Sequence, residues 1–166
     1  MQDSPAPLVL ADEEGHALHL WIEGYEFPEV TNAENPDSQW LQIGVRLSGP
    51  ELEARFTEPC LRLAEAASLG VWLDSLARTA PGALPEPALT FLDFAEPLLA
   101  FGLRGAEEDG VRLAVVLPQS DNEPRVPEAW PDVFEVLAER EELAEMSAEW
   151  LAALDALAPR RSARPR

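Results

Sequence analysis

Residues 40–62 read WLQIGVRLSGPELEARFTEPCLR, and the fold turns on how this stretch is divided. In its first half Leu41, Ile43, Val45 and Leu47 recur at every second position, the spacing that places side chains on one face of a strand. Leu52, Ala54 and Phe56 repeat that spacing against Glu51, Glu53 and Arg55. The break Ser48-Gly49-Pro50 supplies turn residues between the two runs, so the pair reads as a β-hairpin. After it the period changes to that of a helix. Thr57 can serve as an N-cap with Glu58 and Pro59 in the first turn. Leu61, Ala64, Leu69, Trp72, Leu73 and Leu76 then follow at helical spacing, which predicts a helix over about 58–78. Gly70 inside it costs about 1 kcal/mol relative to alanine and implies close packing there.

Working outward, ALHLWIE (17–23) alternates Leu18, Leu20 and Ile22 against His19, Trp21 and Glu23. Beyond residue 78 the Pro/Gly-rich TAPGALPEP ends the helix. LTFLDF, PLLAFGLRG and VRLAVVLP follow, the last two joined through Asp109-Gly110, a strong hairpin signal. The last two runs are almost wholly apolar, which suits central strands covered on both faces. Residues 118–131 hold four prolines and read as a loop. Residues 133–137 fit a short strand or the opening of the last helix. That helix, about 140–158, places Leu143, Met146, Trp150, Leu151, Leu154 and Leu157 on one side. The order of strands, helix, strands, helix predicts an α+β fold. Its sheet is mainly antiparallel, strongly curved or sandwich-like, with about 7–8 strands and two packing helices. Residues 1–159 read as one domain and 160–166 as an Arg-rich tail.

The composition bounds function. The chain has 166 residues and a net charge of −19, and its 12 basic residues are all arginine. Four arginines lie in the last seven positions, leaving residues 1–159 with eight arginines against 31 acids, a balance of −23. Such a body repels phosphate backbones and attracts basic partners, with an on-rate that falls as salt rises. No apolar run approaches the ~20 residues of a membrane span. The first 15 residues lack the basic start of a secretory signal. With the lone Cys60, this points to a cytoplasmic setting.

Candidate chemistry is sparse. His16 and His19 are an odd number of residues apart, which separates them across a strand, and there is no second cysteine or HExxH pair. No metal site is expected, and no cofactor. Neither a nucleophile elbow nor a phosphate loop occurs. Cys60 falls in the first turn of the expected helix, where a dipole can activate a thiol, but its apolar flanks favour packing. The acidic clusters 12–14, 107–109 and 141–142 fall at turns or on an exposed helix face.

The run IEGYEFPE…DSQWLQIGVRL, then FTEPCL…AEAASLGVWLDSLA, LTFLDFAEPLLAFGL and VFEVLAEREELAEMSAEWLAAL, resembles the WapI-like immunity family of bacterial contact-dependent toxin systems. The resemblance covers roughly residues 17–158. Its specific points are Gly24-Tyr25, Trp40-Leu41, Phe56-Thr57-Glu58-Pro59, Trp72-Leu73 and Glu96-Pro97. It implies a protein that binds and blocks a toxin domain without chemistry of its own. The chain departs from that pattern in its Pro- and Ala-rich loops and its Arg-only basicity.

Two acidic edges then become candidates for binding a basic toxin. The first has Glu26, Glu29, Glu34 and Asp37 beside Tyr25 and Trp40. The second has Glu107, Glu108 and Asp109, with Asp121, Glu123 and Trp130 further along. The same aromatics can instead cap one end of the sheet core with the acids solvated above them. A small-ligand domain or uncharacterised enzyme, with a cavity in the curved sheet, is the alternative from another class. A homo-oligomeric structural module is a third.

Overall fold

The computed structural model describes residues 6–50, 53–82, 90–92, 100–116, 133–157 and 159. Strands β1 (Leu8–Ala11), β2 (Ala17–Tyr25), β3 (Trp40–Ser48) and β4 (Glu53–Arg62) form one four-stranded antiparallel sheet in sequence order. Helix α1 (Leu63–Ala77) follows. Strands β5 (Thr90–Leu92), β6 (Ala100–Ala106), β7 (Val111–Val116) and β8 (Val133–Ala138) form a second antiparallel sheet, also in sequence order, and helix α2 is Arg140–Asp155. The expected α+β class, the antiparallel pairing and the strand number all hold.

The period-2 residues of the first sheet are its inner face. Leu18, Leu20, Leu41, Ile43, Val45 and Leu47 are fully buried, each burial worth about 2 kcal/mol relative to exposure. They share one core with Phe101, Val111, Leu113 and Val115 of the second sheet and with Leu69, Leu73, Leu143 and Trp150 of the helices. Strands β6 and β7 are central in their sheet, and Leu113, Ala114 and Val115 are buried in succession, as their apolar sequence implied. Residues 133–138 are a strand paired with β7 and not the first turn of α2. The short apolar patch at 8–11, which the alternation did not flag, is β1 on the edge beside β2.

The helix start differs from expectation. Residues 57–62 continue β4, so α1 begins at Leu63 and not at 58. Leu41 pairs with Leu61 and Gln42 with Pro59, which leaves Cys60 as the extra residue of a β-bulge. Pro59 falls beside this bulge on an edge strand, the two settings in which a strand accommodates proline. Thr57 is therefore not an N-cap and Cys60 does not sit at a helix terminus. Its side chain lies outside the described set. The real cap uses Glu65, whose carboxylate accepts the Arg62 backbone N–H at 2.8 Å. At the other end α2 stops at Asp155, short of 158.

The helices meet at Gly70. A β carbon there would lie 2.6 Å from Leu151 Cδ2 and 3.0 Å from Trp150 Cδ1. Ser147 Oγ donates to the Gly70 carbonyl at 2.6 Å and Trp150 Nε1 to the Ala66 carbonyl at 2.7 Å, all buried. The glycine thus lets α2 approach the α1 backbone closely enough for both bonds, the packing its sequence position implied.

Candidate interaction surfaces

The first acidic edge is built on the β2–β3 corner. Gly24 has φ +147°, a region that favours glycine, and the register slips between Ile22 and Gly24 as β2 bends. Tyr25 then pairs with Leu41 and is partly buried against the core. Trp40 carries the Arg62 guanidinium 5.6 Å above its ring. The Glu26 N–H donates to the Trp40 carbonyl at 2.9 Å, and Gln42 Nε2 donates to the Glu26 carboxylate.

The loop beyond Glu26 is held by its own side chains. Asn32 Oδ1 accepts the Glu34 N–H and Asn35 Oδ1 the Asp37 N–H, each at 3.0 Å, and Asn35 caps a 3-10 turn at Pro36–Gln39. Buried Ser38 donates to the Asn35 carbonyl at 2.7 Å. Three of the four candidate acids, Glu29, Glu34 and Asp37, stand exposed on this braced loop, while Glu26 is occupied in the corner.

The second edge is the β6–β7 turn. Glu107 accepts from Arg112 Nε at 2.7 Å, which raises the Arg112 pKa. Arg140 donates to the carbonyls of Thr79, Glu107 and Glu108, tying the turn to the end of α1. Glu108 and Asp109 are exposed. Asp121, Glu123 and Trp130, with the rest of residues 118–131, lie outside the described residues, as do residues 160–166 and the Glu96-Pro97 step. The two edges are not one surface. The first abuts the start of α1 through Trp40 and Arg62, the second its end through Thr79, and 15 helical residues span about 22 Å.

A third feature lies on the outer face of the first sheet, where an open groove of about 440 Å³ is floored by β2, β3 and β4 and rimmed by Ala6 and Pro7. Trp21 lies across Gly44, its cross-strand partner, and donates from Nε1 to Glu23 at 2.8 Å. The Arg55 guanidinium sits 5.4 Å from the centroid of the Trp21 ring. One register row sets His19 opposite Arg46 and Arg46 opposite Arg55. Arg46 also pairs with Glu53 at 2.9 Å. Burial, and then the positive charge of Arg46, depress the His19 pKa. The outward residues of β2 are legible in the sequence, but only the strand register shows that Arg46 and Arg55 join them.

His16 packs edge-on against Phe134 at 5.7 Å, away from the groove and from His19. With Asp12 and Glu14 it brings three ligand-type atoms within 4.8 Å. The Asp12 carboxylate there closes the β1–β2 turn. Oδ1 accepts the N–H groups of Glu14 and His16, and Oδ2 accepts those of Leu137 and the His16 ring. Burial alone would raise its pKa, but the His16 and Leu137 N–H bonds and the adjacent imidazole hold it below the usual value. Its contacts account for the cluster as a structural turn.

No helix among the described residues is long and apolar enough to cross a membrane. No curated protein is similar enough to match the sequence. The model of the immunity protein WapI-like family matches residues 9–158, from the second residue of β1 to past the end of α2, and the chain belongs to that family.

Proposed function

We propose that this protein is a non-enzymatic, immunity-type inhibitor that sequesters a basic toxin domain in the cytoplasm. The observation that carries this reading is the family match over almost the whole chain, since an immunity protein implies a toxin partner. The charge supports the basic character of that partner, because a body of −23 speeds encounter with a cationic surface. The braced acidic loop at 26–37 is the better of the two candidate edges. Its three exposed carboxylates stand on a fixed backbone beside Tyr25 and Trp40, so little ordering entropy is lost on contact. The edge at 107–109 is a separate contact.

The small-ligand alternative calls for an enclosed pocket with two or more convergent carboxylates or histidines. The groove over β2–β4 is open and holds one of each, His19 and Glu23.

Affinity capture from the source cell's lysate, at low and high salt, tests the inhibitor reading. One basic protein retained near stoichiometry in high salt, and inhibited by the purified chain, is the expected result. Recovery of only a salt-sensitive mixture of cationic proteins would overturn it.

A further inference from the structure

We propose that the groove on the outer face of β2–β4 binds the carboxylate side chain of a single acidic residue in a peptide segment, with the Arg55 guanidinium, braced on Trp21, as the principal contact. Seven arginines lie among the described residues. Arg46, Arg62, Arg78, Arg104 and Arg112 each pair with a carboxylate, and Arg140 is bound by three carbonyls. Among the described residues Arg55 alone has a ring contact and no acceptor. In a chain with 31 acids, an arginine without a carboxylate requires an account.

Sheet stability does not supply it. Arg55 lies directly opposite Arg46, and like charges in register are destabilising. Glu53 pairs with Arg46, and no carboxylate among the described residues pairs with Arg55. An anion entering the groove completes the row. With Cζ 5.4 Å from the Trp21 ring centroid and no acceptor among the described residues, the guanidinium has N–H donors for a carboxylate, whose two oxygens match its fork. Gln42 and Thr57 add neutral polar groups beside it.

Two observations choose the occupant. The net charge of −19 and the Glu23 carboxylate inside the groove oppose polyanions and doubly charged phosphate, so a single carboxylate is the favoured charge. The groove, at about 440 Å³, is far larger than one carboxylate and leaves room for the neighbouring residues of a peptide. This site selects a charge opposite in sign to the one the 26–37 loop would select, and it does not rest on the toxin reading.

The test is titration of the full chain with N-acetylated, C-amidated Gly-Glu-Gly, following the His19 imidazole resonances by NMR. The Gly-Gln-Gly analogue and inorganic phosphate are the comparison arms. The expected result is a saturable His19 shift with a dissociation constant on the order of millimolar, and none with the Gln peptide. Arg55→Gln weakens binding about tenfold, Arg55→Lys weakens it less, and Arg78→Gln, outside the groove, leaves it unchanged. Thermal unfolding of each variant verifies that it is folded. No saturable shift, an equal response to the Gln peptide, full affinity in a folded Arg55→Gln, or tighter binding of phosphate would each overturn the proposal.

Discussion

Trp21 covers Gly44 so closely that a β carbon on the glycine would lie 1.9 Å from the indole Cε2. The two residues face each other across β2 and β3, and the missing side chain is the space the indole occupies. Only with Trp21 lying there does Arg55, one strand further on, find a ring to rest on. Gly44→Val should displace the indole, cost about 1–3 kcal/mol by overpacking, and release Arg55. Urea denaturation and a red shift in tryptophan emission check this, and unchanged values would mean Trp21 is not seated on Gly44.

Gly70→Ala provides a test with opposing terms. Alanine gains about 1 kcal/mol in helix propensity, whereas its methyl meets Leu151 and Trp150 at 2.6–3.0 Å, a clash worth about 1–3 kcal/mol. Net destabilisation is expected, and more from Gly70→Val. A stabilised alanine variant would show that α2 can move away without losing the Ser147 and Trp150 bonds.

Asp12 links the β1–β2 turn to Leu137 of β8, and so joins the two sheets. Its pKa is lower in the folded chain than the ordinary 3.8, so its contribution is fully present above that value and is lost as pH falls through the folded pKa. Asp12→Asn should destabilise by about 1–2 kcal/mol at neutral pH, with the gap to wild type narrowing below pH 3.8. Denaturation midpoints across pH measure it, and a gap independent of pH would remove the charge from the account.

Arg140→Ala removes three charge-assisted bonds that hold the β6–β7 turn to the end of α1. A loss of about 2 kcal/mol is expected, with faster amide exchange at Gly82 and Glu107, whose N–H groups donate to the Ala106 and Gly110 carbonyls in the same junction. Unaltered exchange at both amides would contradict a bracing role.

Reversal of Glu29, Glu34 and Asp37 to lysine should slow association with a basic toxin by tenfold or more at low salt, roughly, and much less at high salt. The same reversal at Glu108 and Asp109 should have a smaller effect. Stopped-flow kinetics would separate them, and a dominant effect at the second site would move the contact to the far end of α1.

Much of the architecture was legible because burial imposes a period. Leu41, Ile43, Val45 and Leu47 announced a strand with one dry face, and Asp109-Gly110 announced the turn between β6 and β7. Gly70 could be read as a close approach because glycine otherwise weakens a helix. The boundary at 57–62 differs from the sequence expectation for a local reason. Thr-Glu-Pro is good helix-start chemistry, and only the pairing of Pro59 with Gln42 on an edge strand overrides it.

Composition and local pattern therefore determined the class, the antiparallel hairpins, the acidic charge and the family likeness, all properties of neighbours along the chain. The tertiary structure decided what depends on register and on distant pairing. It separated the two acidic edges by the length of α1, consumed Glu26 and Glu107 in local bonds, and aligned His19, Arg46 and Arg55 beside Trp21. No one-dimensional period encodes that row, because a one-residue slip in pairing would send each of those side chains to the other face.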